Sequence, residues 1–228
     1  MASYNLYDND DLPLWDRFLS ISKATEQNET FKSSFDFWQK TFNSNNPLPS
    51  EDDMVNLLNN LRTIPVKSPK IGCPRLFVSH RQIDKDYALS IANIANDTGF
   101  EFWLDVLDPT LLTLPTLTHL TPKQIVLLTA CIIEMGLINS THVIAVMTED
   151  SKGSVWIPYE YGRVRKFDDT ACWSHPNHTF TLPDYMLLGP ITGSRLDIEE
   201  WLRRFHCCSP ITWVWPKTKS LPTRKSTP

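Results

Sequence analysis

The chain has 228 residues, 41% hydrophobic and 21% charged, and carries a net charge of −4. That composition excludes wholesale disorder, and its mild acidity argues against general electrostatic attraction to nucleic acid. No signal pattern opens the chain and no apolar run approaches about 18 residues, so no membrane span and a cytoplasmic location are expected; five cysteines at irregular spacing fit a reducing compartment better than a disulfide framework.

Residues 1–68 read as a helical N-terminal extension. Leu14, Trp15, Phe18 and Leu19 share a face of one helix, and Phe31, Phe35, Trp38 and Phe42 recur at helical spacing in a second. That aromatic stripe suits packing against a neighbouring domain or a surface for an oligomer or partner. After an Asn/Pro-rich break, Ser50 and Asp53 resemble a capping box ahead of Leu57, Leu58 and Leu61. The stretch TIPVKSPKIGCP, residues 63–74, marks a boundary, and residues 69–216 form the second unit. Residues 217–228, with Lys217, Lys219, Arg224 and Lys225 among Ser, Thr and Pro, read as a basic disordered tail.

In the second unit the texture alternates. Leu76 to Val78 predicts a strand, and Tyr87, Ala88, Ile91, Ala92 and Ala95 predict a helix. FEFWL (100–104) is a second strand, followed by a helix over 122–137 with Ile125, Leu128, Ile132 and Ile133 inward. HVIAVM (142–147) is the clearest buried strand; a helix over 155–166, a strand near 185–189, a helix near 195–206 and a last strand at 211–215 complete the series. Strands alternating with helices predict an α/β fold, a flavodoxin-like parallel sheet with helices on both faces. Ligands of such sheets bind beyond the carboxyl ends of the strands. Neither GxxxxGK[ST] nor GxGxxG occurs, so the usual signatures of phosphate-loop NTPases and dinucleotide-binding dehydrogenases are missing.

Four polar features fall at strand ends. They are FVSHR (Phe77 to Arg81) with Asp84, WLDVLDP (Trp103 to Pro109), MTEDSKGSVW (Met147 to Trp156) and SVWIPYEYGRVRK. In the last, Trp156 and Glu160 are one helical turn apart and share a face. Glu160 suits either a solvated pair with Arg163 or Arg165, or a carboxylate placed for chemistry. Trp156 suits core packing or an aromatic pocket wall. Asp105 and Asp108 suit turn capping, and Ser79 and His80 suit turn chemistry, as well as pocket lining.

The order strand-FVSH, helix, strand-FWLD, loop, helix, strand-VIAVMT, then Ser-x-Trp-x-x-x-Glu resembles a Toll/interleukin-1-receptor (TIR) domain of the bacterial NAD-cleaving branch, over residues 73–206. The resemblance implies cleavage of the nicotinamide–ribose bond of NAD, as glycohydrolase or ADP-ribosyl cyclase, in bacterial anti-phage defence. It assigns Glu160 as catalytic residue, and Phe77, Ser79, His80, Asp84, Asp105, Ser154 and Trp156 as substrate-binding residues. NAD is substrate, and neither metal nor resident cofactor is implied. The leaving nicotinamide is already cationic, so a fixed carboxylate that stabilises the oxocarbenium-like ribosyl centre is enough. Such pockets are completed by neighbouring copies, so a homo-oligomer, or assembly with a defence-system partner through the N-terminal helices, is expected.

Other readings stay open. A TIR-like module could work by self-association alone, and nucleoside deoxyribosyltransferases also set a carboxylate near an anomeric carbon. Cys172, His175 and His178, with His206, Cys207 and Cys208, could hold zinc, although the spacing matches no standard finger. A Cys–His nucleophilic pair lacks a cysteine at a convincing strand end. The loop from Asp105 to Pro122, with LLTLPTLTHL, departs from the family; it suits packing, or a lid or assembly surface built on Leu111, Leu112, Leu114 and Leu117.

Overall fold

A computed structural model describes residues 50–63, 74–108, 111–112, 114–118, 120–163, 169–175 and 180–205. The aromatic stripe at 31–42, the strand expected at 211–215 and the basic tail lie outside these residues.

The described chain alternates strand and helix. Helix α1 (Glu51–Thr63) precedes β1 (Arg75–Ser79), α2 (Lys85–Asp97), β2 (Glu101–Trp103), α3 (Pro122–Asn139), β3 (His142–Met147), α4 (Trp156–Arg163), β4 (Thr170–Ser174), β5 (Ile191–Thr192) and α5 (Arg195–Arg203). The five strands make one parallel sheet in the order β2-β1-β3-β4-β5, an α/β fold. The register sets Phe77 beside Trp103, Ser79 beside Ala145 and Met147 beside Ser174. The chain leaves β1 in one direction to reach β2 and crosses back to reach β3. Right-handed crossovers then put α2 and α3 on opposite faces. In keeping with this, α2 packs on α5, and α3 packs on α1.

Local sequence explains the boundaries. Thr121 and Gln124 form a reciprocal capping box, and Pro122 opens α3 where its missing N–H costs nothing. Ser194 and Asp197 cap α5 in the same way. Helix α2 stops at Gly99, whose φ of 80° suits glycine. The Phe100 N–H then returns to Ala95 O at 2.9 Å. All six residues of β3 are buried, as a strand covered on both faces requires. Met54, Leu58 and Leu61 of α1 join the same core as the sheet.

The segment near 185–189 is not a strand. Residues Asp184–Leu188 form a 3-10 helix, in which only Met186 is buried, and the chain becomes extended only at Ile191–Thr192. The fourth strand is instead TACWS at 170–174, where Cys172 and Trp173 are core residues. Much of the loop after β2 is packing, not free surface. Leu107, Leu114 and Leu120 are buried and Leu111 and Leu117 half-buried, whereas Leu112 is 60% exposed. Among the described residues no helix is long and apolar enough to cross a membrane.

Candidate functional site

Ser79 ends β1 at the carboxyl edge of the sheet. Its hydroxyl donates to Glu160 Oε2 at 2.5 Å. Side chains alternate along a strand, so Phe77 lies on the same face, two residues beneath. Phe77 is buried and stacks on Trp103 with ring centroids 4.7 Å apart. Its place is therefore in the core under the site, and it does not line an open pocket. Trp103 is held by its Nε1–H, which donates to Asp108 Oδ2 at 3.2 Å, while Asp108 Oδ1 accepts from the Leu111 N–H at 3.2 Å. Asp108 thus anchors the turn after β2.

The next residue after β1, His80, turns its buried ring toward Asp105. His80 Nε2 lies 3.4 Å from Asp105 Oδ1, and Nδ1 lies 3.4 Å from Val78 O. Asp105 starts the 3-10 turn after β2 and accepts the Val106 N–H at 2.8 Å. Its side chain is 35% exposed, against 1% for His80. Asp84, 4% exposed, accepts from the Thr148 hydroxyl at 2.9 Å, which ties the β1 loop to the end of β3.

Helix α4 brings Glu160 over these strand ends. Ser154 Oγ accepts from the N–H groups of Trp156 and Ile157 at 3.3 and 3.2 Å, the pattern of an N-cap. The serine of Ser-x-Trp-x-x-x-Glu therefore starts the helix. Trp156, half-buried, packs against the core and meets Tyr159 edge-on, with centroids 6.1 Å apart. Arg163 does not pair with Glu160. Its guanidinium reaches Glu134 of α3, Nη2 to Oε2 at 2.9 Å, and Leu61 O of α1 at 3.5 Å. Arg62 of α1 lies over the Tyr159 ring, 5.5 Å from its centroid.

Glu160 is 6% exposed. Burial pushes its carboxyl up to about 8; the Ser79 hydrogen bond opposes that rise and the nearby Asp105 charge adds to it. Glu160 is the fifth residue of α4, beyond the first turn, where a helix dipole would favour the ionised form by only about 0.3–1 kcal/mol. Desolvation of a fully buried carboxylate outweighs it. Burial likewise raises Asp105, with the His80 charge opposing, and raises Asp84, with the Thr148 bond opposing. Among the described residues the strand ends thus gather three carboxyls, Asp84, Asp105 and Glu160, with His80 beside Asp105; Arg165, the other cation the sequence offered Glu160, lies outside those residues.

A separate cavity of about 90 Å³ is lined by Met147, Ser151, Ser154, Ile157, Phe180 and Tyr185. Its lining includes none of Ser79, His80, Asp105 or Glu160. The structure therefore brings Ser79, His80, Asp105 and Glu160 together, with Asp84 beside them. Ser154 and Trp156 shape the helix that carries Glu160, and Phe77 supports the floor.

Sequence reasoning did not single out Thr148 or Glu134. The signal for Glu134 was present, since it is the lone charge within the apolar run of α3, and such a charge is buried only when paired. The zinc reading gains nothing from the fold. Cys172 is fully buried in β4, with its thiol pushed by burial up to about 12, and the His175 ring packs against Tyr87 and Trp173. Among the described residues no three His, Cys, Asp or Glu side chains gather as ligands; His178, His206, Cys207 and Cys208 lie outside them. No family model, no curated protein and no solved structure matches this chain.

Proposed function

We propose that the chain is a TIR-like NAD+ glycohydrolase or ADP-ribosyl cyclase, with Glu160 as catalytic residue. The strand order β2-β1-β3-β4-β5 is that of flavodoxin-like sheets, and it supports the finer fold assignment. One observation carries the functional reading: a carboxyl at the carboxyl edge of a parallel sheet, 6% exposed, hydrogen-bonded to Ser79, and with Arg163 of its own helix committed to Glu134. Among the described residues no cation pairs with Glu160, and a pyridinium N-glycoside would bring one.

In this reading NAD+ binds with its nicotinamide ribose against Glu160, and its positive charge favours loss of the Glu160 proton. The C1′–N bond breaks, its electron pair neutralises the nicotinamide ring, and the carboxylate stabilises the oxocarbenium centre left behind. Water attack, with release of one proton, gives ADP-ribose; attack by a nitrogen of the adenine gives a cyclic product. Asp105, His80 and Asp84 border the nucleotide, and Trp156 offers an aromatic face. A cytoplasmic role in anti-phage defence, in homo-oligomers or with a partner protein, belongs to the same proposal.

The test is chromatography of NAD+ incubated with concentrated full-length protein, resolving nicotinamide, ADP-ribose and cyclic products. Glu160→Gln is expected to lower nicotinamide release about a hundredfold or more. A variant retaining more than about a tenth of wild-type turnover would remove Glu160 from the catalytic role. Base exchange between deoxynucleosides would indicate a deoxyribosyltransferase, and absence of any turnover an association module.

A further inference from the structure

Arg163 closes α4 three residues after Glu160, so the two side chains leave one short helix a single turn apart. A glutamate followed by an arginine at that spacing forms a stabilising pair on an isolated helix, in the order the dipole favours. Here that pair is not made. The guanidinium turns to α3, where Nε lies 3.2 Å from each carboxylate oxygen of Glu134 and Nη2 lies 2.9 Å from Oε2. Nη2 also reaches Leu61 O of α1 at 3.5 Å, while Glu160 accepts from the Ser79 hydroxyl. Glu134 is 1% exposed, and its neighbours Ile132, Ile133, Met135 and Leu137 are core residues. Stability alone does not call for a charge there, because an apolar pair of similar volume in place of a buried ion pair is commonly neutral or stabilising. What a planar guanidinium on a carboxylate adds is direction. It fixes where the Arg163 charge goes.

We propose that Glu134 is a positioning residue for Glu160: it holds the Arg163 guanidinium against α3 and α1, and so leaves the Glu160 carboxyl to Ser79 and to a substrate. Glu134 touches no reacting atom, and its effect passes through Arg163. Two buried carboxyls compete for one guanidinium, Glu160 from a turn earlier on the same helix and Glu134 from across the α3–α4 contact. The Leu61 carbonyl adds a second acceptor on the Glu134 side. A Glu160 carboxylate paired within its own helix would have to be released before a cationic ribosyl donor could use it. The side that Arg163 takes therefore decides whether Glu160 is available. This role for Glu134 rests on Glu160 as the catalytic carboxylate.

The experiment follows the Glu160 carboxyl by carbon-13 NMR in full-length protein labelled at glutamate, with the resonance assigned by its absence in Glu160→Gln. Ser79 and the Asp105 charge act on Glu160 in every variant alike. Glu134→Gln keeps the shape and removes the charge that holds Arg163. The Glu160 midpoint, about 8 in the wild type, is expected to fall by about one to three pH units as Arg163 turns to it. Nicotinamide release from NAD+ is expected to fall about tenfold or more, since each unit of midpoint is a factor of ten that the substrate must overcome. Adding Arg163→Met removes the cation and is expected to return both readings toward the wild type. A residue that only held the fold together would lower the folded fraction and leave the midpoint of the folded protein in place. Should Glu134→Gln fail to fold by circular dichroism, Glu134→Leu, which suits the apolar run of α3, takes its place. A midpoint unmoved in the folded Glu134 variant, or a fall that persists after Arg163→Met, overturns the proposal. If midpoint and NAD+ cleavage fall and return together, both readings stand. If the midpoint falls and returns while none of the proteins cleaves NAD+, the hold of Glu134 on Arg163 stands and the NAD+ assignment fails.

Discussion

Glu160→Gln should make the protein more stable, with a pH dependence that identifies the cause. The carboxyl is pushed from its ordinary 4.5 up to about 8 in the folded chain, chiefly by burial. At pH 7 the unfolded chain has released this proton and the folded chain largely retains it. Every tenfold fall in proton activity below the unfolded midpoint costs the fold about 1.4 kcal/mol, so the span from 4.5 to pH 7 amounts to about 3 kcal/mol. The amide escapes that penalty and still accepts from Ser79, but leaves N–H groups to satisfy at a cost of about 1 kcal/mol. A net gain of about 2 kcal/mol is expected at pH 7, or roughly 5 °C in Tm for a domain of this size. For a raised pKa, the stability contribution is whole below the unfolded value and is lost as pH rises through the folded one. The advantage of Gln should thus be negligible or negative at about pH 4, grow through neutrality and level off above about 8. Urea unfolding of both proteins at four pH values measures it. A Gln-minus-Glu difference that stays flat with pH would refute the claim that a buried carboxyl stores this energy.

Catalysis should mirror the same titration: kcat/KM for NAD+ is expected to rise with pH up to about 8 and flatten above, as ionised Glu160 accumulates in the free enzyme, and a profile flat from about pH 5 would contradict this. Leu114→Asp is expected to unfold the domain or cost more than about 3 kcal/mol, since the side chain is 2% exposed, while Leu112→Asp, at 60% exposed, should unfold at the wild-type urea concentration. Gly136→Ala should cost about 1–3 kcal/mol, because an added Cβ would stand 2.8 Å from the Trp103 ring; an unchanged urea midpoint would mean that the ring moves freely.

Much of this was legible in the sequence because burial on both faces leaves a strong mark. HVIAVM became β3 with its expected ends, and the helix expected over 122–137 runs from Pro122 to Asn139. TACWS was harder to read, since a cysteine and a neighbouring histidine in a polar stretch suggested metal ligands and only the sheet reveals Cys172 as core. DYMLL has the apolar content of a strand, but its exposed Leu187 and Leu188 show that hydrophobicity alone does not settle periodicity over five residues. Ser79 and Glu160 were expected at one edge of the sheet because a parallel sheet gathers the residues that follow its strands, and their side chains are hydrogen-bonded there. The charge state of Glu160 was not foreseen. Desolvation depends on everything packed around a residue, and no local spacing encodes it.

Helix α1 changes what counts as the site's foundation. Leu61 accepts from Arg163, Arg62 covers Tyr159, and the Met54 carbonyl faces the Cys131 thiol of α3 at 3.8 Å. The helix that holds Glu160 is thus moored from behind by residues about a hundred positions upstream. Anyone trimming this chain for expression at the compositional break near residue 69 would discard that mooring. Such a fragment would uncover the flank of α3 and leave Arg163 with one anchor fewer, so its silence in an activity assay would say nothing about Glu160.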